Sequence, residues 1–174
     1  MEHVVLVDDY DKVLGTAPKD TVHTTDTPLH RGFSLFVFNR SGDLLVTRRA
    51  YTKKTFPGKW TNTVCGHPQL NETPEAAALR RLKDELGMTA GNIRIVAPYR
   101  YKVADIHGIL ENEICPILVG HANEDPHPNT KEVGEWKWMP WREFLTETAN
   151  LPDEYSPWCI EEAAILQQKD PGLR

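Results

Sequence analysis

Apolar and polar positions divide the chain into short segments of differing period. His3–Val7 is a brief apolar run before DDYDKVLG, which predicts an opening strand and a turn. The next stretch, rich in Thr, Asp and Pro, predicts a polar loop that carries His23 and His30 in HTTDTPLH. Phe33–Phe38 reads as an apolar strand, NRSGD offers a glycine turn, and residues 44–47 return, so FSLFVFNRSGDLLVTRRA predicts a hairpin that delivers Arg48 and Arg49. Pro57 and Gly58 then mark a tight turn, with Lys53 still near the arginines and Trp60 as a core or loop anchor.

Residues 65–88, CGHPQLNETPEAAALRRLKDELGM, predict a loop feeding a helix. Thr73 suits the N-cap, Pro74 the first helical position and Gly87 the stop. Leu79, Leu82 and Leu86 form an apolar stripe flanked by Ala78, and Arg81 and Glu85 share the ridge beside it. Residues 94–104 then read as a strand with Tyr99 and Tyr101 on one face, and residues 110–120 as another. In that second strand Glu111, Glu113 and Cys115 project to one side. Two carboxylates on such a face need solvent if the strand is exposed, and a cation if it is central. A loop follows, then a strand over 135–141 with Trp136 and Trp138 alternating, a helix over 141–147, and a last helix over 155–169 that stops before Pro171. Strands at both ends, with helices in the middle and at the C-terminus, predict a mixed β-sheet sandwich with flanking helices, of α/β or α+β class.

Composition narrows the function classes. The length of 174 residues suits one domain over 1–174, and 40% hydrophobic with 26% charged residues is ordinary for a soluble globular protein. No apolar run is long enough to span a bilayer, and MEHVVLVDDYD is acidic where a secretory signal would be basic, so a cytoplasmic location is expected. The odd count of 3 cysteines argues for thiols rather than a disulfide framework, with Cys115 and Cys159 as packing residues. A net charge of −5 gives no support for nucleic-acid binding. Monomer and homodimer both stay open. Arg48, Arg49, Lys53, Lys54 and Lys59 nevertheless crowd one short region, usually the mark of a solvated face.

Gly66, Glu72, Arg80, Asp84, Glu85 and Gly87 match, with two departures, the spaced Nudix box, in which carboxylates on a helix hold a divalent cation against a diphosphate. Together with HTTDTPLH upstream, TNTVCGHP at the box and YRY then ENEICP downstream, residues 19–158 resemble the type 1 isopentenyl-diphosphate delta-isomerases, a Nudix-fold family. The resemblance implies a metal site of His23, His30, His67, Glu111 and Glu113. Its ion could be Mn²⁺, Zn²⁺ or Mg²⁺, since mixed nitrogen and oxygen donors do not choose among them. It implies that Glu85 holds Mg²⁺ against the diphosphate, and that Lys19, Arg49, Lys53 and Arg81 bind the diphosphate itself. Cys65 and Glu113 match the catalytic pair, Tyr101 the residue that hydrogen-bonds that glutamate, and Trp158 the aromatic wall of the prenyl pocket. The expected substrate is a small prenyl diphosphate.

In the hydrolase form of the box the first helical arginine precedes a glutamate, whereas here Arg80 precedes Arg81. A metal-binding carboxylate is thereby replaced by a phosphate-binding cation, which argues for holding a diphosphate over cutting it. A Nudix hydrolase of nucleoside diphosphate derivatives is the main rival, and a diphosphate-sensing module the third reading. The hydrolase gives Cys65 and the two loop histidines no work to do, and the sensing module would be favoured if Cys65 or Glu113 were missing, whereas both are present.

Overall fold

The structure, a computed structural model, describes residues 2–173. Strands β1 (His3–Val7) and β2 (Val13–Pro18) form an antiparallel ribbon. Asp8 Oδ1 accepts from the Tyr10 and Lys12 amides to fix the turn between them. β2 lies where the sequence predicts loop. It is an edge strand, mostly exposed and broken by Gly15 and Pro18, so it lacks the alternation that betrays a half-buried strand. A single helical turn, α1 (Lys19–Val22), and a two-residue strand, β3 (His30–Arg31), follow within the predicted loop.

Strands β4 (Phe33–Phe38) and β5 (Asp43–Arg49) are joined by the expected turn, where Gly42 adopts φ +85. They pair only at Phe38 and Leu44, then splay. Into the gap come β6 (Trp60–Thr61), which pairs with β5, and β7 (Val64–Gly66), which pairs with β4 and sets Cys65 opposite Ser34. The box helix α2 (Pro74–Leu86) begins as its sequence requires: Thr73 Oγ1 accepts from the Ala76 amide at 3.2 Å, and Gly87 ends it at φ +61. Its apolar stripe differs from the prediction. Ala78, Leu82 and Leu86 step four apart and are fully buried, whereas Leu79 is rotated about 100° from Ala78 and lies exposed.

The segment read as one strand over 94–104 is two, β8 (Gly91–Ala97) and β9 (Arg100–Ala104). The segment over 110–120 is likewise two, β10 (Leu110–Ile114) and β11 (Ile117–His121). Pro98 and Pro116 mark the breaks, since neither offers an N–H to continue a ladder. The breaks sit side by side, tied by the Cys115 amide donating to Tyr99 O at 2.9 Å. Both double strands thus cross together from one sheet to another. The chain closes with β12 (Val133–Pro140), α3 (Trp141–Asn150), a 3₁₀ turn over Pro152–Glu154, and α4 (Pro157–Lys169).

The first sheet runs β2-β1-β3-β10-β9 and the second β12-β5-β4-β11-β8, with β6 and β7 attached. Both are mixed, through the parallel pairs β10 with β3 and β11 with β4. Every residue of β4 is buried because the second sheet is covered on both faces. Phe33, Leu35 and Val37 pack on Ala77, Leu82 and Leu86 of α2, while Phe36 and Phe38 pack toward α3 and α4. Burying Leu82 and Leu86 anchors α2, and truncating either to Ala removes about 2–5 kcal/mol.

Candidate active site

Five buried side chains converge from four places in the fold. His23 follows α1, His30 sits in β3, His67 follows β7, and Glu111 and Glu113 stand on β10. Strand period fixes the last two, because alternate residues of β10 face one side. Their donor atoms, one from each residue, all lie within 4.8 Å of one another. His23 Nε2 is 3.1 Å from Glu111 Oε2, and His67 Nε2 is 3.0 Å and His30 Nε2 3.5 Å from Glu113 Oε1. His30 Nδ1 lies 2.9 Å from the Pro28 carbonyl, which can only accept, so a proton sits on Nδ1 and Nε2 is the nitrogen that faces the cluster. Among the described residues the buried Nε2 atoms of His23 and His30 form no well-aligned hydrogen bond, although each faces a carboxylate oxygen, at 3.1 and 3.5 Å. Imidazole nitrogens facing two carboxylates are a donor set that fits one divalent ion.

The electrostatics agree. Burial opposes ionisation of Glu113, yet His30 and His67 hold its pKa well below the usual carboxylate range. Burial likewise opposes Glu111, where His23 prevails and Thr55 Oγ1 donates to Oε1 at 2.6 Å. For His67 burial wins and lowers the pKa, whereas for His30 Glu113 outweighs burial and raises it.

Every site residue implied by the resemblance except His30 lines one cavity of about 250 Å³. His30 lies directly beneath, fully buried. The cations Lys19, Arg49, Lys53 and Arg81 line the cavity. Arg81 Nη2 is 2.5 Å from Glu85 Oε1, Lys19 Nζ is 2.7 Å from Glu2 Oε2, and Lys53 pairs with Glu132. Arg81 also lies 3.5 Å from Glu2 and 3.6 Å from Glu132. Arg49 donates to the carbonyls of Thr55 and Phe56, and its guanidinium lies 5.3 Å from the Trp158 ring centre.

Cys65 lines the same cavity. Its thiol donates to Asn62 Oδ1 at 3.1 Å and lies 3.4 Å from Ser34 Oγ. The Asn62 amide nitrogen donates to the Leu35 and Val64 carbonyls, which leaves Oδ1 as the acceptor. Burial first, then the nearby Glu162 carboxyl, pushes the Cys65 thiol up to about 12, so the resting group is protonated. Trp158, Tyr101 and Phe56 supply aromatic walls: the Trp158 ring lies 5.8 Å from Tyr101 and 5.1 Å from Phe56. Tyr101 is the register partner of Glu113 on β9, but among the described residues its hydroxyl forms no hydrogen bond to that carboxylate, whose Oε1 faces His67 and His30.

Comparison with known proteins decides the family. Residues 28–159 match the NUDIX domain. Isopentenyl-diphosphate Delta-isomerase of Saccharopolyspora erythraea is 44% identical over 95% of this chain and 86% of its own length. That of Salmonella paratyphi B is 42% identical over 97% of this chain and 94% of its own. The chain belongs to the isopentenyl-diphosphate Delta-isomerases of the Nudix family. Solved structures show the same fold. DR0079 from Deinococcus radiodurans has a TM-score of 0.73 at 20% identity, covering 97% of this chain and 99% of that one. A MutT protein from Methanosarcina mazei Go1 has a TM-score of 0.65 at 19% identity, covering 83% and 95%.

Against this Nudix frame, Glu72 of the box has a structural role: it holds Arg80 through Oε1 and Oε2, both at 2.8 Å, and so staples the loop to α2. Several residues at the isomerase-family site escaped the sequence reading. Thr55 orients Glu111, Asn62 and Ser34 flank Cys65, and Glu2 and Glu132 neutralise the cations. Only the polar run TNT before Val64 hinted at any of them, since Thr61, Asn62 and Thr63 are all buried.

Proposed function

We propose that this protein is a metal-dependent isopentenyl-diphosphate Delta-isomerase that interconverts isopentenyl and dimethylallyl diphosphate for isoprenoid synthesis. The observation that carries the reading is one small cavity lined both by the cations Lys19, Arg49, Lys53 and Arg81 and by Cys65, Glu113, Tyr101 and Trp158. The substrate is a diphosphate handle on a five-carbon hydrocarbon, and the cavity offers groups suited to each part.

Shifting the double bond requires a proton added to one carbon and another removed two carbons away, on opposite faces of the alkene, through a species with tertiary carbocation character. An unactivated alkene is a weak base, so a positioned acid and base are needed. Cys65 and Glu113 are that pair, and their roles exchange with direction. Trp158 presents a π-face that favours positive charge, and with Tyr101 it forms an apolar wall that limits the water able to capture the cation. Lys19, Arg49, Lys53 and Arg81 grip the diphosphate, and Tyr101 stands beside Glu113 to orient it. When bound, a divalent ion at the His/Glu cluster, Mn²⁺, Zn²⁺ or Mg²⁺, would offset the charge of Glu111 and Glu113, and Mg²⁺ at Glu85 would offset that of the diphosphate.

Arg81 also argues against the hydrolase reading. It fills the helical position where the hydrolase pattern has a carboxylate, and it pairs with Glu85. The same reading holds the chain to be one Nudix-type domain acting in the cytoplasm on a small molecule, as monomer or homodimer, with neither nucleic acid nor membrane as partner; among the described residues no helix is long and apolar enough to cross a membrane. The test is incubation of the purified protein with isopentenyl diphosphate and Mg²⁺. Dimethylallyl diphosphate is the expected product. Released phosphate without isomer would establish the hydrolase instead.

A further inference from the structure

The loop over 50–59, between β5 and β6, touches ion ligands and diphosphate cations alike. Arg49, the last residue of β5, donates from Nη2 to the Thr55 carbonyl at 2.8 Å and from Nε to the Phe56 carbonyl at 3.2 Å, and Nη2 also reaches Thr55 Oγ1 at 3.4 Å. Thr55 is 6% exposed, and its hydroxyl donates to Glu111 Oε1 at 2.6 Å. The other oxygen of that carboxylate, Oε2, faces His23 Nε2 at 3.1 Å. Lys54 adds a second link, donating from Nζ to the His23 carbonyl at 2.9 Å and the Asp20 carbonyl at 3.3 Å. Phe56 holds φ +46, a left-handed conformation that bulky residues avoid, and its ring meets Trp158 edge-on at 5.1 Å. Such a conformation persists only where the surroundings impose it.

We propose that Thr55 is a positioning residue through which Arg49, a cation of the diphosphate site, sets the Glu111 carboxylate and hence the ion affinity of the His/Glu cluster. The donor directions allow one order only. A guanidinium can only donate and a carboxylate can only accept, so the hydroxyl between them accepts from Arg49 and gives its proton to Glu111. The bond to Glu111 has the short length of a charge-assisted hydroxyl–carboxylate contact, and holding Oε1 there leaves Oε2 turned to the cluster. Without it the carboxylate can swing about its last torsion, which has no sharp preference of its own. Arg49 grips the backbone that carries the hydroxyl, so a change at Arg49 reaches Glu111. Direct electrostatics has the opposite sign: removing a cation raises the affinity of its surroundings for another cation.

This inference rests on the metal-dependent reading, and the experiment separates the two. The full chain, stripped of ions by a chelator, is titrated calorimetrically with Mn²⁺ alone; without diphosphate Glu85 stays paired with Arg81, so the titration reads the cluster. Thr55→Val, close in shape but lacking the hydroxyl, lowers Mn²⁺ affinity about 10–100-fold, the usual effect of losing a ligand's outer partner. Thr55→Ser returns it to near the parent value. Arg49→Met, which keeps an apolar stem without the donors, lowers affinity several-fold in the parent and no further in the Thr55→Val background. Should Arg49→Met fail to fold, Arg49→Lys, which keeps the charge but not the fork, carries the same expected loss. Parental affinity in Thr55→Val, equal losses in Thr55→Val and Thr55→Ser, or a gain in affinity on replacing Arg49 would overturn the proposal while leaving the metal reading intact. A parent that binds no ion would sink the metal reading and this inference with it.

Discussion

A β-carbon on Gly32 would lie 1.9 Å from Glu113 Oε2 and 2.7 Å from Glu113 Cδ. The glycine between β3 and β4 is thus the surface on which the carboxylate rests, and no side chain fits there without moving it. Gly32→Ala should displace Glu113 from His30 and His67. The expected outcome is isomerase activity and divalent-ion affinity both down by about 10–100-fold, the usual effect of disturbing a ligand's support. Activity assays and calorimetric ion titration check it; unchanged values in both would refute the role of Gly32.

Cys65 lines the cavity but takes part in none of the ion pairs made by its cations. Cys65→Ala should lower turnover by about 10²–10⁴-fold, the range for loss of a general acid or base. Binding of inorganic diphosphate and of divalent ions should hardly change. Turnover at the parental rate would remove Cys65 from the chemistry.

Exhaustive dialysis against a strong chelator should abolish activity, and adding back a divalent ion should restore it. An ion that binds only the folded chain stabilises it by about 2.7 kcal/mol at a hundredfold excess over Kd. In a domain of this size that raises the thermal midpoint by about 5–10 °C. Scanning calorimetry with and without the ion measures the shift, and full activity after chelation would count against the metal site.

The Glu72–Arg80 staple gives a pH signature. Arg80 holds the Glu72 carboxyl below its ordinary range. A depressed carboxylate stabilises the fold above its unfolded pKa, about 4.3 for Glu, and that contribution disappears as pH falls through the lower, folded value. Glu72→Gln should therefore cost up to about 1 kcal/mol at neutral pH, modest because the pair is partly solvated. The difference from the parent protein should fade in acid. Denaturant unfolding of both proteins from neutral pH downward provides the comparison.

The parts of the molecule that local chemistry determines could be read directly. Thr73, Pro74 and Gly87 bound α2 because capping is a matter of a few adjacent residues, and the mostly apolar run of β4 read as a strand. The misread parts depend on partners distant in sequence. Pro116 divides residues 110–121 between two sheets, yet a proline alone does not say that its neighbours change partners. The half-exposed β2 has no face pattern because it packs at an edge. Leu79 looked like core until the exact rotation of α2 was set by β4. At the site, the candidate ligands and cations stood out as charged groups in unusual order, whereas Gly32, Ser34 and Thr55 acquire roles only by proximity across the fold.

Glu2 and Glu132 give the cation cluster a final property. Lys19, Lys53 and Arg81 are already matched by the chain's own carboxylates. Any anion that enters must displace them, so a titration reports the difference between two sets of ion pairs and not the strength of one. A weakly charged visitor gains little by that substitution, whereas a diphosphate can replace both carboxylates at once. The protein thereby screens ions by valence before any hydrocarbon reaches Cys65.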